Sequence, residues 1–187
     1  MPERLLLGTS ASFSSVVIND LVTRYGKAIG AYIYCDYRDQ MSQIVVGMLG
    51  CVLRQLLISS SCIPETIITV LESILKSAQG AEIGDISEML KVILPQLGRS
   101  FLCVDALDGL ESRTRFTLLK ALRTEFGTVR IFLTGRPHIE PEVNEALQIQ
   151  LDAMHIAAKE VDIRGCLIHK IGKDMNLNRD DMNEQLR

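Results

Sequence analysis

The order of apolar runs along this chain is the feature that most limits its fold. Short apolar runs alternate with longer stretches in which apolar residues recur every three or four positions. Short runs of this kind are typical of strands buried on both faces, and the longer spacing is typical of helices that bury one side. Their alternation predicts β-α-β units. We therefore expect an α/β fold with three layers, in which a mostly parallel five-stranded sheet carries helices on both faces.

The positions of these patterns give the expected elements. The predicted strands lie at residues 4–7, 30–35, 101–105, 130–134 and 148–151. The predicted helices lie at residues 12–25, 40–58, 64–78, 86–96, 111–126, 139–146, 158–173 and 178–187, with Asp85 as the expected N-cap of the fourth. We place the α/β core at residues 1–155 and the beginning of a helical segment at residues 156–187. Because almost nothing precedes the first strand and the last helix stops while still polar, we expect a piece of a longer protein.

Composition and charge exclude several classes of function. Hydrophobic residues make up 47% of the chain and charged residues 23%, which is typical of a folded globular protein. The net charge of -3 argues against binding to nucleic acid or to an anionic membrane surface. The longest apolar stretch, residues 44–58, is interrupted by Arg54 and is shorter than the roughly 20 residues that span a bilayer. We therefore expect a core helix there, and neither a membrane nor a nucleic acid as partner.

The cysteines and the N-terminus indicate the compartment. The chain has 5 cysteines and no C-x-x-C pair, and Cys35, Cys51, Cys62 and Cys103 fall in or beside apolar runs. This pattern favours reduced, buried thiols over disulfides or zinc ligands. The N-terminal apolar run of three leucines is too short for a secretory signal. The expected location is the cytoplasm.

Two carboxylates follow the predicted strand at 101–105, in the stretch "RSFLCVDALDGL". Ligands of open parallel sheets gather beyond the carboxyl ends of the strands, which is where Asp105 would lie. A carboxylate there can hold a nucleotide-bound Mg²⁺, because magnesium takes only one or two oxygen ligands from protein. Asp108 could orient a water or support the same ion. The alternative is that Asp108 or Ser112 caps the next helix and that Asp105 is a solvated strand-end residue.

A basic residue follows the next predicted strand, in the stretch "VRIFLTGRPHIE". Arg136 could reach the terminal phosphate of a nucleotide, because its planar guanidinium suits phosphate oxygens and stays charged. The alternative is a surface ion pair of Arg136 with Asp105 or Glu140. Taken together, the two strand ends favour a nucleotide-binding crevice.

Several segments resemble a known family. "FLCVDALDGLESRTRFTLLKAL" resembles the Walker B region of fungal NACHT-domain proteins, which belong to the signal-transducing P-loop ATPases (STAND). "IFLTGRPHI" resembles their sensor 1 strand, "AYIYCDYRDQ" the strand and loop after the first helix, and "AKEVDIRGCLIHKI" the start of the helical segment after the sheet. The resemblance covers roughly residues 5–187. It implies that Asp105 is the magnesium aspartate, that Asp108 is the second acidic and candidate catalytic residue, and that Arg136 senses the γ-phosphate.

The phosphate-binding loop departs from this family. A working loop reads G-x-x-x-x-G-K-[ST], whereas this chain has "LLLGTSASFSS" before its first helix. Ser10 stands in the place of the lysine and Ala11 in the place of the hydroxyl residue, so that Gly8, Thr9 and Ser10 are left as phosphate contacts. Charged hydrogen bonds contribute about 1.5–3 kcal/mol each, and the loss of two lowers affinity roughly 10²- to 10⁴-fold. The other explanation of this loop is a truncated or misassembled 5′ end, in which unrelated coding sequence replaces the true loop.

A second departure affects turnover. The family usually continues its acidic motif as D-A-L-D-E, and Gly109 stands in the place of the glutamate. We therefore expect weak binding of ATP or ADP with Mg²⁺, and impaired or absent hydrolysis. The resemblance implies a signalling and oligomerisation module that acts on protein partners, or by self-association, within a larger receptor. The alternatives are a non-catalytic interaction scaffold and an active ATPase with an unconventional phosphate loop.

Overall fold

The fold was analysed on a computed structural model of the chain. It describes residues 4–7, 17–21, 23–24, 30–98, 100–127, 129–148, 152–155 and 164. The chain divides into two compact units, Met1–His155 and Ile156–Arg187, and every strand and helix named below belongs to the first. The helices predicted at 158–173 and 178–187 lie outside the described residues, apart from Arg164, which is helical.

All strand pairings are parallel. The strands are β1 (Arg4–Leu7), β2 (Ala31–Tyr34), β3 (Phe101–Asp105), β4 (Arg130–Leu133) and β5 (Asp152–His155). They form two hydrogen-bonded groups, a three-stranded sheet in the order β2-β3-β4 and a two-stranded pair of β1 with β5. β1 lies beside β4. The parallel α/β fold is thus present, with the strands in two sheets where the sequence predicts one.

The fifth strand begins later than predicted. Residue Gln148, the first of the predicted strand, closes the preceding helix in a left-handed conformation with φ 52°. A helix end of this type redirects the chain before a strand can start. The strand follows at Asp152–His155.

In the described part of the chain, five helices follow β2, β3 and β4 in sequence. They are α1 (Val45–Ser59), α2 (Glu65–Lys76), α3 (Ile83–Ile93), α4 (Ser112–Glu125) and α5 (Glu140–Leu147). Residues 17–21 and 23–24 are also helical, within the helix predicted at 12–25. None of the helices in the described ranges is both long enough and apolar enough to cross a bilayer.

Two helix starts differ from the prediction. α1 does not begin at residue 40, because Asp36 accepts a hydrogen bond from the Arg38 N–H (2.9 Å) and starts a separate 3₁₀ turn, Tyr37–Asp39. α3 begins at Ile83 rather than at residue 86. Asp85 lies inside its first turn, where its carboxylate accepts from the Glu82 N–H at 2.8 Å, so the expectation that Asp85 is the N-cap is wrong.

The core lies between the three-stranded sheet and the helices. α1 packs on β2 and on α3, and α4 packs on α5. The side chains with no exposed surface come from β3 and from all five helices, and they include Leu49, Val52, Ile67, Leu90, Ile93, Val104, Leu118, Leu122 and Val143. α2 has only one buried residue, Ile67, whereas each of the other four helices has three or more, so α2 is the least anchored of the five.

The four cysteines in the described residues divide into two groups, and Cys166 lies outside those residues. Cys35 and Cys103 are buried, whereas Cys51 and Cys62 are exposed, so the expectation of buried thiols holds only for the first two. Cys51 lies on the outer side of α1, and Cys62 lies in the turn between α1 and α2. An apolar run in sequence does not tell which side of a helix faces the core.

The outer edge of β2 is covered by side-chain amides. The Gln55 side chain accepts from the Tyr32 N–H (3.1 Å) and donates to the Tyr32 carbonyl (2.9 Å). Gln43 makes the same pair of hydrogen bonds to the backbone of Asp36. Both glutamines thus occupy backbone groups that face away from β3.

Candidate functional site

Asp105 lies at the carboxyl end of the central strand and is 3% exposed. The register pairs Val104 with Leu133, so that Thr134 is the next residue beside Asp105. The Thr134 hydroxyl donates to Asp105 Oδ1 (2.5 Å) and accepts from the Ala106 N–H (3.0 Å). A buried carboxylate requires such partners. The alternative of a solvated strand-end residue is therefore wrong.

The backbone turns sharply after Asp105. Ala106 has φ 54° and ψ 45°, a left-handed conformation that costs a residue with a Cβ about 1–2 kcal/mol. The turn is held by the Leu107 N–H, which donates to the Thr134 carbonyl at 2.9 Å, and by the Gly109 N–H, which donates to the Ala106 carbonyl at 2.7 Å. The 3₁₀ turn Leu107–Gly109 places Asp108 at the same edge of the sheet as Asp105.

Arg136 follows β4 at this edge and is paired with Asp108. Its backbone N–H donates to Asp108 Oδ1 at 3.1 Å, and its Nε lies 3.3 Å from Asp108 Oδ2. Arg136 thus forms a surface ion pair, but its partner is Asp108 and not Asp105 or Glu140, the two partners that the alternative named. The Asp108 side chain is 17% exposed and that of Arg136 is 71% exposed, so the guanidinium lies on the solvent side of the pair.

The helix after this turn has no side-chain cap. α4 begins at Ser112 after Glu111, and no side chain accepts a hydrogen bond at its N-cap. The alternative in which Asp108 or Ser112 caps this helix is therefore wrong. We call Asp105, Asp108, Thr134 and Arg136 the rim, because all four lie at the carboxyl ends of β3 and β4.

A role for Arg115, a buried arginine behind the rim, was not predicted from the sequence. Arg115 forms a bidentate ion pair with Glu142 of α5, with distances of 3.0 and 2.6 Å, and donates to the Leu110 carbonyl at 2.8 Å. It thereby joins the turn after Asp108 to the helix after Arg136. The signal was its spacing, since Arg115 lies in line with the apolar residues Leu118, Leu119 and Leu122 of α4.

Gly109 is required by a close approach of two loops. A Cβ at this position would lie 3.1 Å from the Cys35 carbonyl oxygen and 3.2 Å from the Tyr37 nitrogen, both backbone atoms. The Gln40 side chain also donates to the Gly109 carbonyl at 3.0 Å. The glycine therefore allows the loop after β2 to pack on the turn after β3.

The two thiols near the rim are inert. The pKa of Cys35 is raised to about 12, mainly by burial and then by the carboxylates of Asp105 and Asp108, whereas Arg115 lowers it. Burial and then Asp105 raise the pKa of Cys103 to about 12 as well. Because the thiolate is the nucleophile and the metal ligand, neither cysteine has these roles near neutral pH.

The rim fits a magnesium ion that is held mainly by its nucleotide. Within the described part of the chain, no group of three or more ligating side chains could hold a metal by itself. Magnesium bound with phosphates keeps several waters and needs one or two carboxylates, which Asp105 can supply. The predicted phosphate contacts Gly8, Thr9 and Ser10 lie outside the described residues, as does Ala11.

The parallel α/β fold and the rim agree with the class of P-loop NTPase-like domains. Residues 8–136, more than half of the chain, match the family model described as nephrocystin 3, N-terminal. The chain therefore belongs to the nephrocystin 3 N-terminal family. It matches no curated protein.

Several solved structures are similar in fold at low identity. Cdc6p from Pyrobaculum aerophilum has 14% identity and a TM-score of 0.45, over 80% of this chain and 38% of that one. A Walker-type ATPase of Pyrococcus abyssi has 15% identity and a TM-score of 0.43, over 83% and 47%. The ORC2 protein of Aeropyrum pernix, in ADPNP-ADP complexes, has 12% identity and a TM-score of 0.43, over 82% and 41%. This chain spans less than half of the length of each.

Proposed function

We propose that this chain is a nucleotide-binding module of a larger protein, which takes ATP or ADP with Mg²⁺ weakly and hydrolyses it slowly or not at all. The observation that carries the proposal is the rim, where a buried aspartate and an exposed arginine follow two adjacent parallel strands. Ligands of open α/β sheets bind at this end of the strands.

Asp105 is the residue that would hold the metal. The hydrogen bond from Thr134 fixes the orientation of its carboxylate, so that little order has to be gained on binding. A bound Mg²⁺ would supply positive charge against the phosphates. Thr134 thus acts on the site through Asp105.

Arg136 would contact the terminal phosphate. In its ion pair with Asp108 the guanidinium is 71% exposed, although the Asp108 side chain is mostly covered, so water screens the pair on the arginine side. The guanidinium can therefore leave Asp108 for a phosphate at little cost, because phosphate accepts from the same planar fork. This exchange would also free the Asp108 carboxylate to orient a water.

Titration with fluorescent ADP and Mg²⁺ tests the proposal. We expect weak binding that Asp105→Asn and Arg136→Ala each reduce about tenfold or more, since each removes a charged contact. Glu88→Gln, an exposed carboxylate of α3, is the matched control and should leave the affinity unchanged. Equal affinity of the wild type and Asp105→Asn would contradict the proposal.

Restoration of the phosphate loop separates the proposal from its alternatives. Ser10→Lys combined with Ala11→Thr should raise the affinity roughly 10²- to 10⁴-fold, because it returns two charged or metal-directed contacts. No gain would favour the non-catalytic interaction scaffold. Phosphate release by the wild type above that of Asp108→Ala would favour an active ATPase with an unconventional loop.

The finer proposal is a NACHT-type signalling and oligomerisation module with protein partners. It is supported by the resemblance of residues 101–122 and 131–139 to the Walker B and sensor 1 segments of that family. Sedimentation with and without Mg²⁺-ATP tests self-association of the chain, which should increase with nucleotide.

We also infer that the β1–β5 pair extends the sheet beyond β4, which is supported by the position of β1 beside β4.

A further inference from the structure

An apolar groove lies between α1, α2 and α3, away from the rim. It has a volume of about 640 Å³, and its walls include Leu53 and Leu57 of α1, Leu71 and Ile74 of α2, and Ile86 and Met89 of α3. We call it the α1–α3 groove. Contiguous apolar surface of this kind, open to solvent, is typical of an interaction site.

The groove continues into an exposed apolar stripe on α2. Ile68, Leu71 and Leu75 are 44, 37 and 85% exposed, and their positions i, i+3 and i+7 lie along one side of the helix. This spacing is that of a seam against which another helix packs. A small ligand in the groove would leave the stripe in water, whereas a helix laid along α2 would cover both.

One positive charge lines the otherwise apolar groove. Arg54 of α1 is the charged residue among its lining side chains, and it is exposed. Within the part of the chain that the structure describes, its guanidinium forms no ion pair with a carboxylate. Because a guanidinium pairs well with a carboxylate in a two-bond arrangement, a partner surface that presents a carboxylate at this point would complement the groove.

We propose that the α1–α3 groove binds an amphipathic helix of a partner protein, with apolar residues at i, i+3 or i+4, and i+7, and with one acidic residue that faces Arg54. Helix-in-groove recognition of this kind combines apolar anchors with a charge that fixes the register. The groove shares no residue with the rim, so this proposal does not depend on nucleotide binding.

A displayed library of helical peptides tests the occupant. The library keeps the apolar stripe and randomises the flanking positions; it is selected on the full chain and counter-selected on an Ile58→Ser, Leu75→Ser variant. Both substituted residues are well exposed, at 70 and 85%, so the variant should keep the melting temperature of the wild type. We expect enrichment of Asp or Glu at one flanking position on the wild type, and of Lys or Arg there on Arg54→Glu.

Fluorescence anisotropy then measures the affinities of the enriched acidic peptide and of its Glu→Lys variant. We expect the acidic peptide to bind the wild type about tenfold more tightly, the preference to reverse on Arg54→Glu, and Leu75→Ser to weaken both peptides about tenfold. Met41→Ser, which removes an equally exposed apolar side chain outside the groove, should change neither. Selection without a charge preference, or an absence of reversal, would overturn the proposal. A dimer of the free chain that Leu75→Ser dissociates would overturn it too, because the occupant would then be a second copy.

Discussion

The Thr134 hydroxyl connects two strands at a single point of the rim. It donates to the Asp105 carboxylate and accepts from the Ala106 N–H, so it supports the buried charge and the left-handed residue together. Because the Thr134 backbone also bonds to Val104 and Leu107, its side chain has little freedom to do anything else. One hydroxyl therefore sets the geometry of the proposed magnesium ligand.

Removal of this hydroxyl should destabilise the protein. Thr134→Val keeps the shape but leaves the Ala106 N–H and the Asp105 carboxylate without this partner, which costs about 1–3 kcal/mol. The free energy of unfolding, measured by urea denaturation, should fall by this amount. Thr134→Ser keeps the hydroxyl and should lose less than half as much. Equal losses in the two variants would show that the methyl group matters and the hydrogen bonds do not.

Introduction of a glutamate at position 109, the residue usual there in NACHT-domain proteins, should be harmful. A Cβ there meets backbone atoms of Cys35 and Tyr37 at 3.1 and 3.2 Å, and backbone cannot rotate away as a side chain can. We expect both Gly109→Glu and Gly109→Ala to lose about 1–3 kcal/mol in urea denaturation. Gly127→Ala, where a Cβ meets nothing within 4 Å, is the control and should be close to neutral. A Gly109→Glu variant as stable as the wild type would show that the loop after β2 moves freely.

At the residue scale, the sequence predicts where a side chain lies in the fold better than it predicts which side chain it pairs with. That Asp105 and Arg136 follow neighbouring parallel strands could be predicted from two apolar runs. The pairing of Arg136 with Asp108 could not, because it depends on the left-handed turn at Ala106, and alanine has no local preference for that conformation.

At the scale of elements, the Arg115–Glu142 pair joins two helices that follow the two rim strands. α4 comes after β3 and α5 after β4, and the bidentate contact fixes one helix against the other. Arg115 also holds the Leu110 carbonyl, so the turn that carries Asp108 is tied to the same contact. The Arg115–Glu142 pair thus connects the turn that carries Asp108 with the helix that follows Arg136.

A double-mutant cycle should reveal this connection. Arg115→Met and Glu142→Gln should each lower the free energy of unfolding, by about 1.5–3 kcal/mol for the arginine, because a charged and largely buried contact is lost. The double variant should lose less than the sum of the two, since neither partner is then left unpaired. The cycle is measured by urea denaturation, with the exposed pair Lys76–Glu72 as the control, for which we expect close to additive effects. Additivity at Arg115 and Glu142 would contradict the assignment.

Elements whose pattern is purely local were predictable, and those set by a side-chain contact were not. β2, β3 and β4 and helices α2 and α4 lie within one or two residues of their predicted bounds, because apolar periodicity alone defines them. The late start of α1 depends on the Asp36 turn, and the delay of β5 depends on the left-handed Gln148. The division of the strands into two sheets depends on contacts between distant segments, about which periodicity gives no information.

At the scale of the whole molecule, the buried thiols couple stability to alkaline pH. The pKa values of Cys35 and Cys103 are raised to about 12 in the folded chain, whereas ordinary thiols titrate near pH 8.5. Below the ordinary value both states keep their protons and the full stability is present. As the pH rises toward the folded pKa values, the unfolded chain loses protons that the folded chain retains, so the free energy of unfolding falls.

Urea denaturation between pH 8 and pH 11 measures this effect. We expect a decrease in the free energy of unfolding that is steeper in the wild type than in Cys35→Ala, Cys103→Ala. Cys51→Ala, Cys62→Ala removes two exposed thiols and should keep the slope of the wild type. The same slope in the buried and exposed pairs of variants would show that other groups cause the decrease.

The two glutamines beside β2 also determine how this molecule can meet its neighbours. By filling the outward backbone groups of Tyr32 and Asp36, they deny a foreign strand the unbroken ladder of hydrogen bonds that it needs to attach. Aggregation of copies of the chain through this strand is thereby disfavoured, even though the side chains of Tyr32 and Tyr34 are about half exposed. Substitution of Gln43 and Gln55 would expose these backbone groups and make the strand prone to intermolecular pairing.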